Sequence, residues 1–157
     1  MALIYRAHFA FAKTPRITSK GLNTSAVFGF ANTLLDVLQK EKPTHLGVAF
    51  DTPKPTFRHE QYVEYKAQRQ EQPEDITVAI PYVIRLCQAM NIPILMLDGY
   101  EADDVIGTIA KAAARTNEFD VYMMTPDKDY GQLVEEHIFM YKPAFMGKDI
   151  EVLGVQQ

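Results

Sequence analysis

Between residues 25 and 40 the apolar positions Val27, Phe28, Ala31, Leu34, Leu35 and Leu38 fall at offsets of 0, 1, 4, 7, 8 and 11, one stripe of an amphipathic helix that Pro43 closes. A second helix is expected before residue 91, with Val83, Leu86, Cys87 and Met90 on one side and Pro81 as a kink or restart. A third starts near Glu101 and packs through Val105, Ile106, Ile109, Ala110 and Ala113. Between these helices, the short apolar runs 46–50, 92–97, 119–124 and 138–141 read as strands, and Leu133 and Val134 belong to a short helix. Residues 1–12 form an abrupt helical stretch, 14–23 a loop with Pro15 and Gly21, and 70–75 a hinge or mobile loop around Pro73. Beyond Lys142 a loop with glycine and lysine is expected. Strands alternating with helices imply an α/β fold, a mostly parallel central sheet with helices on both faces.

Three of the expected strands run directly into acids. The first delivers Asp51, the second Glu101, Asp103 and Asp104, and the third Asp127 and Asp129. Parallel strands present their carboxyl ends on one edge of the sheet, where ligands bind in open α/β folds, so acids far apart in sequence should converge there. Two carboxylates about 4 Å apart repel by on the order of a few kcal/mol, so a converged set calls for a cation. Hard oxygen donors without histidine or cysteine select magnesium or manganese. Acids in a first helical turn also answer the helix dipole and cap free N–H groups, so the 101–104 motif alone leaves both readings open.

Composition narrows the classes. The 157 residues, 47% of them hydrophobic, are about one domain's length with apolar content sufficient for a core. A formal net charge of -4 gives no global basic signature, so a polyanion would have to meet a local patch or metal ions. The single Cys87 excludes an intrachain disulfide and a cysteine-built zinc site, and suits a packed thiol in a reducing cytoplasm. Arg6 and His8 interrupt the apolar start, leaving no signal-peptide core, and no run reaches the length of a membrane span. His8, His45, His59 and His137 are scattered without the paired spacing of a metal site.

A local basic patch does exist. If residues 56–72 are helical, Arg58, Tyr62, Tyr65, Lys66 and Arg69 lie at offsets of 0, 4, 7, 8 and 11 and share one face. Cations take phosphates and aromatic rings stack on bases, which suits single-stranded nucleic acid. A solvated helix with half-buried tyrosines fits the same pattern.

In combination, A-L-I-Y-R-A-H-F at 2–9, V-A-F-D-T-P-K-P-T-F-R-H at 48–59, E-Y-K-A-Q-R at 64–69, G-Y-E-A-D-D-V-I-G-T at 99–108 and D-K-D-Y-G-Q-L-V at 127–134 are specific. In the same order over nearly the whole chain, they closely resemble the N-terminal 5'-nuclease domain of bacterial DNA polymerase I, a member of the flap endonuclease superfamily with a PIN-like fold. The resemblance implies that Asp51, Glu101, Asp103 and Asp104 serve a metal centre, with Asp127 and Asp129 supplying or orienting ligands for a second ion, Mg2+ or Mn2+. It implies that Tyr5 and Arg6 lie beside the reacting DNA strand and that Arg58, Lys66 and Arg69 line the helical arch or its base, where the scissile phosphate is gripped. The implied activity is 5'-3' exonuclease and flap cleavage of DNA 5' flaps and nicks, including RNA primer removal, by a cytoplasmic monomer.

Two departures from the family pattern stand out. Pro126 replaces the small residue expected before Asp127. The family's first strand, which ends in an aspartate ligand, and its helix-three-turn-helix element have no counterpart in residues 1–157, so the resemblance implies a PIN-like domain truncated at both ends and weak or absent activity for the piece alone. Other readings of the same residues are a receiver domain that accepts a phosphoryl group on aspartate, a module that binds flapped DNA without cutting it, and a PIN-like ribonuclease.

Overall fold

In a computed structural model, the structure describes every residue except Val63, 68–70, 145–148 and 156–157. Arg69 and parts of the expected loops at 70–75 and after Lys142 therefore lie outside the described residues. The chain runs α1 (Ala2–Ala10), α2 (Ser25–Lys40), β1 (Val48–Ala49), α3 (Phe57–Gln61), α4 (Glu74–Ala89), β2 (Ile94–Leu95), α5 (Ala102–Ala114), β3 (Val121–Met124), a 3-10 helix (Lys128–Leu133), β4 (Ile138–Lys142) and β5 (Glu151–Leu153). No helix among the described residues is long and apolar enough to cross a membrane.

The strands form two ladders. β1 pairs parallel with β2, Val48 opposite Ile94, and β3 pairs parallel with β4, Val121 opposite Ile138. β5 adds antiparallel to β4, with Tyr141 opposite Val152. The expected single sheet is thus divided among the described residues, because no strand is hydrogen-bonded between the two ladders. β5 was not expected: its three residues carry no alternation of their own, and its place comes from the free edge of β4.

Each ladder has its own core. Behind β1 and β2, α1, α2 and α4 bury Ile4, Phe30, Leu34, Ile76, Val83 and Cys87, with Phe50 at the end of β1. Full burial of an aliphatic or phenyl side chain contributes about 1.5 to 3 kcal/mol. The buried face of α2 is Ala26, Phe30, Leu34 and Val37, rotated from the expected stripe, while Phe28 and Leu35 are exposed. The cause is close helix packing: a Cβ on Gly29 would stand 2.7 Å from the Ala7 Cβ, so the helices meet along the line of that glycine. Phe28 turns outward under the Arg16 guanidinium, 4.1 Å from its ring centre. α4 continues through Pro81 as one helix, with Val83 and Cys87 inside as expected.

The second core joins α5, β3, β4 and the 3-10 helix through Ala110, Ala114, Met123, Ile138, Met140 and Tyr130. On α5 the buried positions are Ala102, Gly107, Ala110 and Ala114, and Ile109 is exposed, so this face too is turned from the expected one. Small residues there let α5 lie close to both β1 and β3, which makes it the element that ties the ladders together.

Candidate functional site

The start of α5 sets the geometry. Glu101 is its N-cap, in extended conformation, and a capping box forms: the Glu101 side chain accepts the backbone N–H three residues on, and Asp104 Oδ2 accepts the Glu101 N–H at 3.0 Å. Two acids thus satisfy orphan N–H groups and place negative charge at the positive end of the helix dipole. Asp51, just past β1, joins the same helix start by accepting the Ala102 N–H on Oδ1 at 2.8 Å. Gly99, at φ +85°, turns the chain from β2 into this cap in a conformation that disfavours any residue with a Cβ.

The third segment arrives from β3. Asp127 caps the 3-10 helix, its Oδ1 accepting the Asp129 N–H at 3.0 Å. One residue further, buried Tyr130 donates from its hydroxyl to Asp103 Oδ1 at 2.6 Å. Burial, then the bond to Asp103 and the charges of Asp103, Asp127 and Asp51, push the Tyr130 phenol far above its ordinary range, which keeps it a donor. Glu101, Asp103, Asp104, Asp129 and Tyr130 border one open cleft. Asp51 and Asp127 do not line that cleft, but both act electrostatically on the phenol between them.

The surroundings of the six acids differ. Arg58 donates from both terminal nitrogens to Asp104, at 2.7 Å each, in the two-pronged geometry that suits guanidinium and carboxylate. That bond holds the Asp104 carboxyl below the usual carboxylate range. Glu101, 12% exposed, takes Lys66 Nζ at 2.6 Å on one oxygen and the Tyr65 hydroxyl at 3.4 Å on the other. Asp51, Asp103, Asp127 and Asp129 are exposed, and among the described residues none is in an ion pair with lysine, arginine or histidine.

The basic segment therefore does not form the expected helical face. α3 ends at Gln61, Tyr62 is extended, and Lys66 takes a left-handed conformation at φ 58°. The His59 ring fixes the short α3 by accepting the Thr56 N–H at 3.2 Å, and the attraction of Glu101 and Asp104 turns Arg58 and Lys66 inward. Periodicity could not show this, because the partners lie about 35 to 46 residues away. Tyr5 donates to Gln72 Oε1 at 3.2 Å, and Arg6 donates to the carbonyls of Pro143 and Ala144. The other histidines have local roles too, such as His137 with Asp120 at 2.8 Å.

The donors fit a hard divalent ion by chemistry, being carboxylate oxygens with exposed lone pairs. Their spacing is open, since among the described residues no three acids stand as a ready group around one ion. Sequence reasoning missed Tyr130, whose only signal was an apolar ring between Asp129 and Leu133 at the spacing of a turn.

A family model described as the 5'-3' exonuclease, N-terminal resolvase-like domain matches residues 1–157. The chain belongs to that family. It is similar to DNA polymerase I of Chloroflexus aurantiacus, 46% identical over 137 residues that make up 87% of this chain and 14% of that protein. It is also similar to the 5'-3' exonuclease of Aquifex aeolicus, 40% identical over 90% of this chain and 48% of that one. The chain thus spans about half the length of the exonuclease and a smaller share of the polymerase. Among solved structures it resembles the T5 5'-exonuclease with bound zinc, TM-score 0.68 and 20% identity over 96% of this chain and 54% of that one. A T5 flap endonuclease in complex with DNA and metal ions matches at TM-score 0.64 and 20% identity, over 89% of this chain and 51% of that one. The α/β, PIN-like fold class expected from the sequence stands, with its sheet in two ladders.

Proposed function

We propose that this exonuclease-family chain carries the acidic face on which divalent ions, two in the intact domain and Mg2+ or Mn2+ by preference, hydrolyse phosphodiesters at DNA 5' flaps and nicks. The observation that carries the reading is the meeting of three chain segments: Asp51 on the Ala102 N–H, and Asp103 on the hydroxyl of Tyr130, which stands three residues after Asp127. Bound at Asp51, Asp103, Asp127 and Asp129, such ions would supply an activated water and stabilisation of the leaving oxygen. The chain's own residues supply the rest. Asp51, Asp103, Asp127 and Asp129 offer carboxylates that no lysine, arginine or histidine among the described residues pairs, with the Met1 ammonium acting on Asp51 and Asp103 from nearby, while Arg58 at the cleft and Lys66 on Glu101 are cations able to exchange a carboxylate for a phosphate. Tyr5 and Arg6 on α1 and Arg69 are proposed as further DNA contacts.

The same pairing favours a second reading, a module that binds flapped DNA without cutting it, because Glu101 and Asp104 are already neutralised by protein cations. A labelled 5'-flap DNA and a single-stranded RNA of equal length, each with Mg2+, Mn2+ or chelator, separate the possibilities. Metal-dependent release of short DNA fragments supports the nuclease. Preference for RNA points to a ribonuclease, and metal-independent affinity that falls steeply with salt, without cleavage, supports the binding module.

A further inference from the structure

We infer that Tyr130 is a positioning residue for Asp103, its hydroxyl fixing one carboxylate oxygen so that the other faces a divalent ion. This rests on the metal-dependent reading above. A core role alone does not account for the residue. Its ring belongs to the second core beside Met123 and Ile138, which phenylalanine would fill equally well, so the hydroxyl needs its own explanation. Tyr130 is 5% exposed, and its donor meets Asp103 Oδ1 at 2.6 Å, the short range of a hydroxyl bonded to a charged carboxylate.

The bond also crosses between elements. Asp103 stands in the first turn of α5 and Tyr130 on the 3-10 helix that Asp127 caps, so it ties the second acidic segment to the third. Asp103 is exposed, the Met1 ammonium acts on it electrostatically, and among the described residues the Tyr130 hydroxyl is the side-chain hydrogen-bond donor that holds it. Groups that hold and orient ligating side chains are worth roughly 10- to 100-fold in metal affinity.

The test uses Tyr130→Phe in the 157-residue chain, with the amide spectrum confirming that the fold is kept. Two readouts apply. The carboxyl 13C resonance of Asp103, assigned with Asp103→Asn, should move in Tyr130→Phe without metal, while that of Asp104 stays in place. Mn2+ uptake followed by electron paramagnetic resonance should weaken about tenfold. An unmoved Asp103 signal, or Mn2+ affinity within about twofold of the unaltered chain, overturns the assignment of Tyr130. If the unaltered chain takes up no Mn2+, the metal reading itself falls and takes this inference with it.

Discussion

Glu101 and Asp104, and by contrast Asp51, Asp103, Asp127 and Asp129, carry the same functional group in different surroundings. The first pair is partly buried and neutralised, Asp104 by a two-pronged Arg58 and Glu101 by Lys66 at 2.6 Å. The other four are exposed and pair with no lysine, arginine or histidine among the described residues; they meet donors such as the Ala102 amide and the Tyr130 hydroxyl, and the Met1 ammonium acts on Asp51 and Asp103. Proximity of acids does not by itself make a cation site. The half without lysine or arginine partners has charge to offer an ion, and the half paired with Arg58 and Lys66 has cations to offer a phosphate.

The largest expected effect separates the halves directly. Asp103→Asn should lower Mn2+ affinity by more than about 100-fold, beyond what loss of a supporting residue costs. Asp104→Asn, whose charge Arg58 already answers, should lower it by about tenfold or less. Equal losses in titrations followed by paramagnetic resonance would erase the distinction.

Next comes Arg58→Met, which strands Asp104 and leaves Glu101 with Lys66 alone. Removing charged hydrogen bonds from a partly buried pair should cost about 1 to 3 kcal/mol in urea unfolding, with no cost expected if the pair is solvated. The same bond sets a pH dependence. The Asp104 carboxyl is depressed in the folded chain by Arg58, so its stabilisation is complete above the ordinary aspartate value of about 3.9 and is lost as pH falls through the lower folded-state value. Acid unfolding should therefore begin at higher pH in Arg58→Met than in the unaltered chain, and coincident curves would remove Arg58 as the cause.

The smallest effect lies away from the rim. His137, half-buried at the surface, is raised by its bond to Asp120, so its contribution is present below the ordinary histidine value and lost as pH rises through the folded one. Asp120→Asn should bring the His137 titration, read by NMR, back toward about 6.5 without changing metal affinity. A change in metal affinity there would mean that the rim is not a separate unit.

Much of this was legible in the sequence. α2 was read with the bounds it has, and the acids at the three strand ends were found because each follows an apolar run. The helix-cap reading of 101–104 holds for Glu101 and Asp104, while Asp103 does not cap the helix but turns to Tyr130. What stayed hidden depends on distant partners. The helical period placed Phe28 and Leu35 inward, but contact with Ala7 across Gly29 decides which face of α2 is buried. The charge pattern of 56–72 fitted one helix, but the attraction of Glu101 for Lys66 bends the chain into a left-handed residue there. β5 depends on an edge that only the folded β4 presents.

A double-mutant cycle on Mn2+ affinity with Asp51→Asn and Asp127→Asn tests the convergence most directly, because these residues follow strands of different ladders and lie far apart in the chain. Acids that converge on one site, whether at one ion or at two neighbouring ions, should each weaken binding, and their combined loss should fall short of the sum. Two losses that add in full, or a variant that binds as well as the unaltered chain, would mean that the strand ends do not form one site.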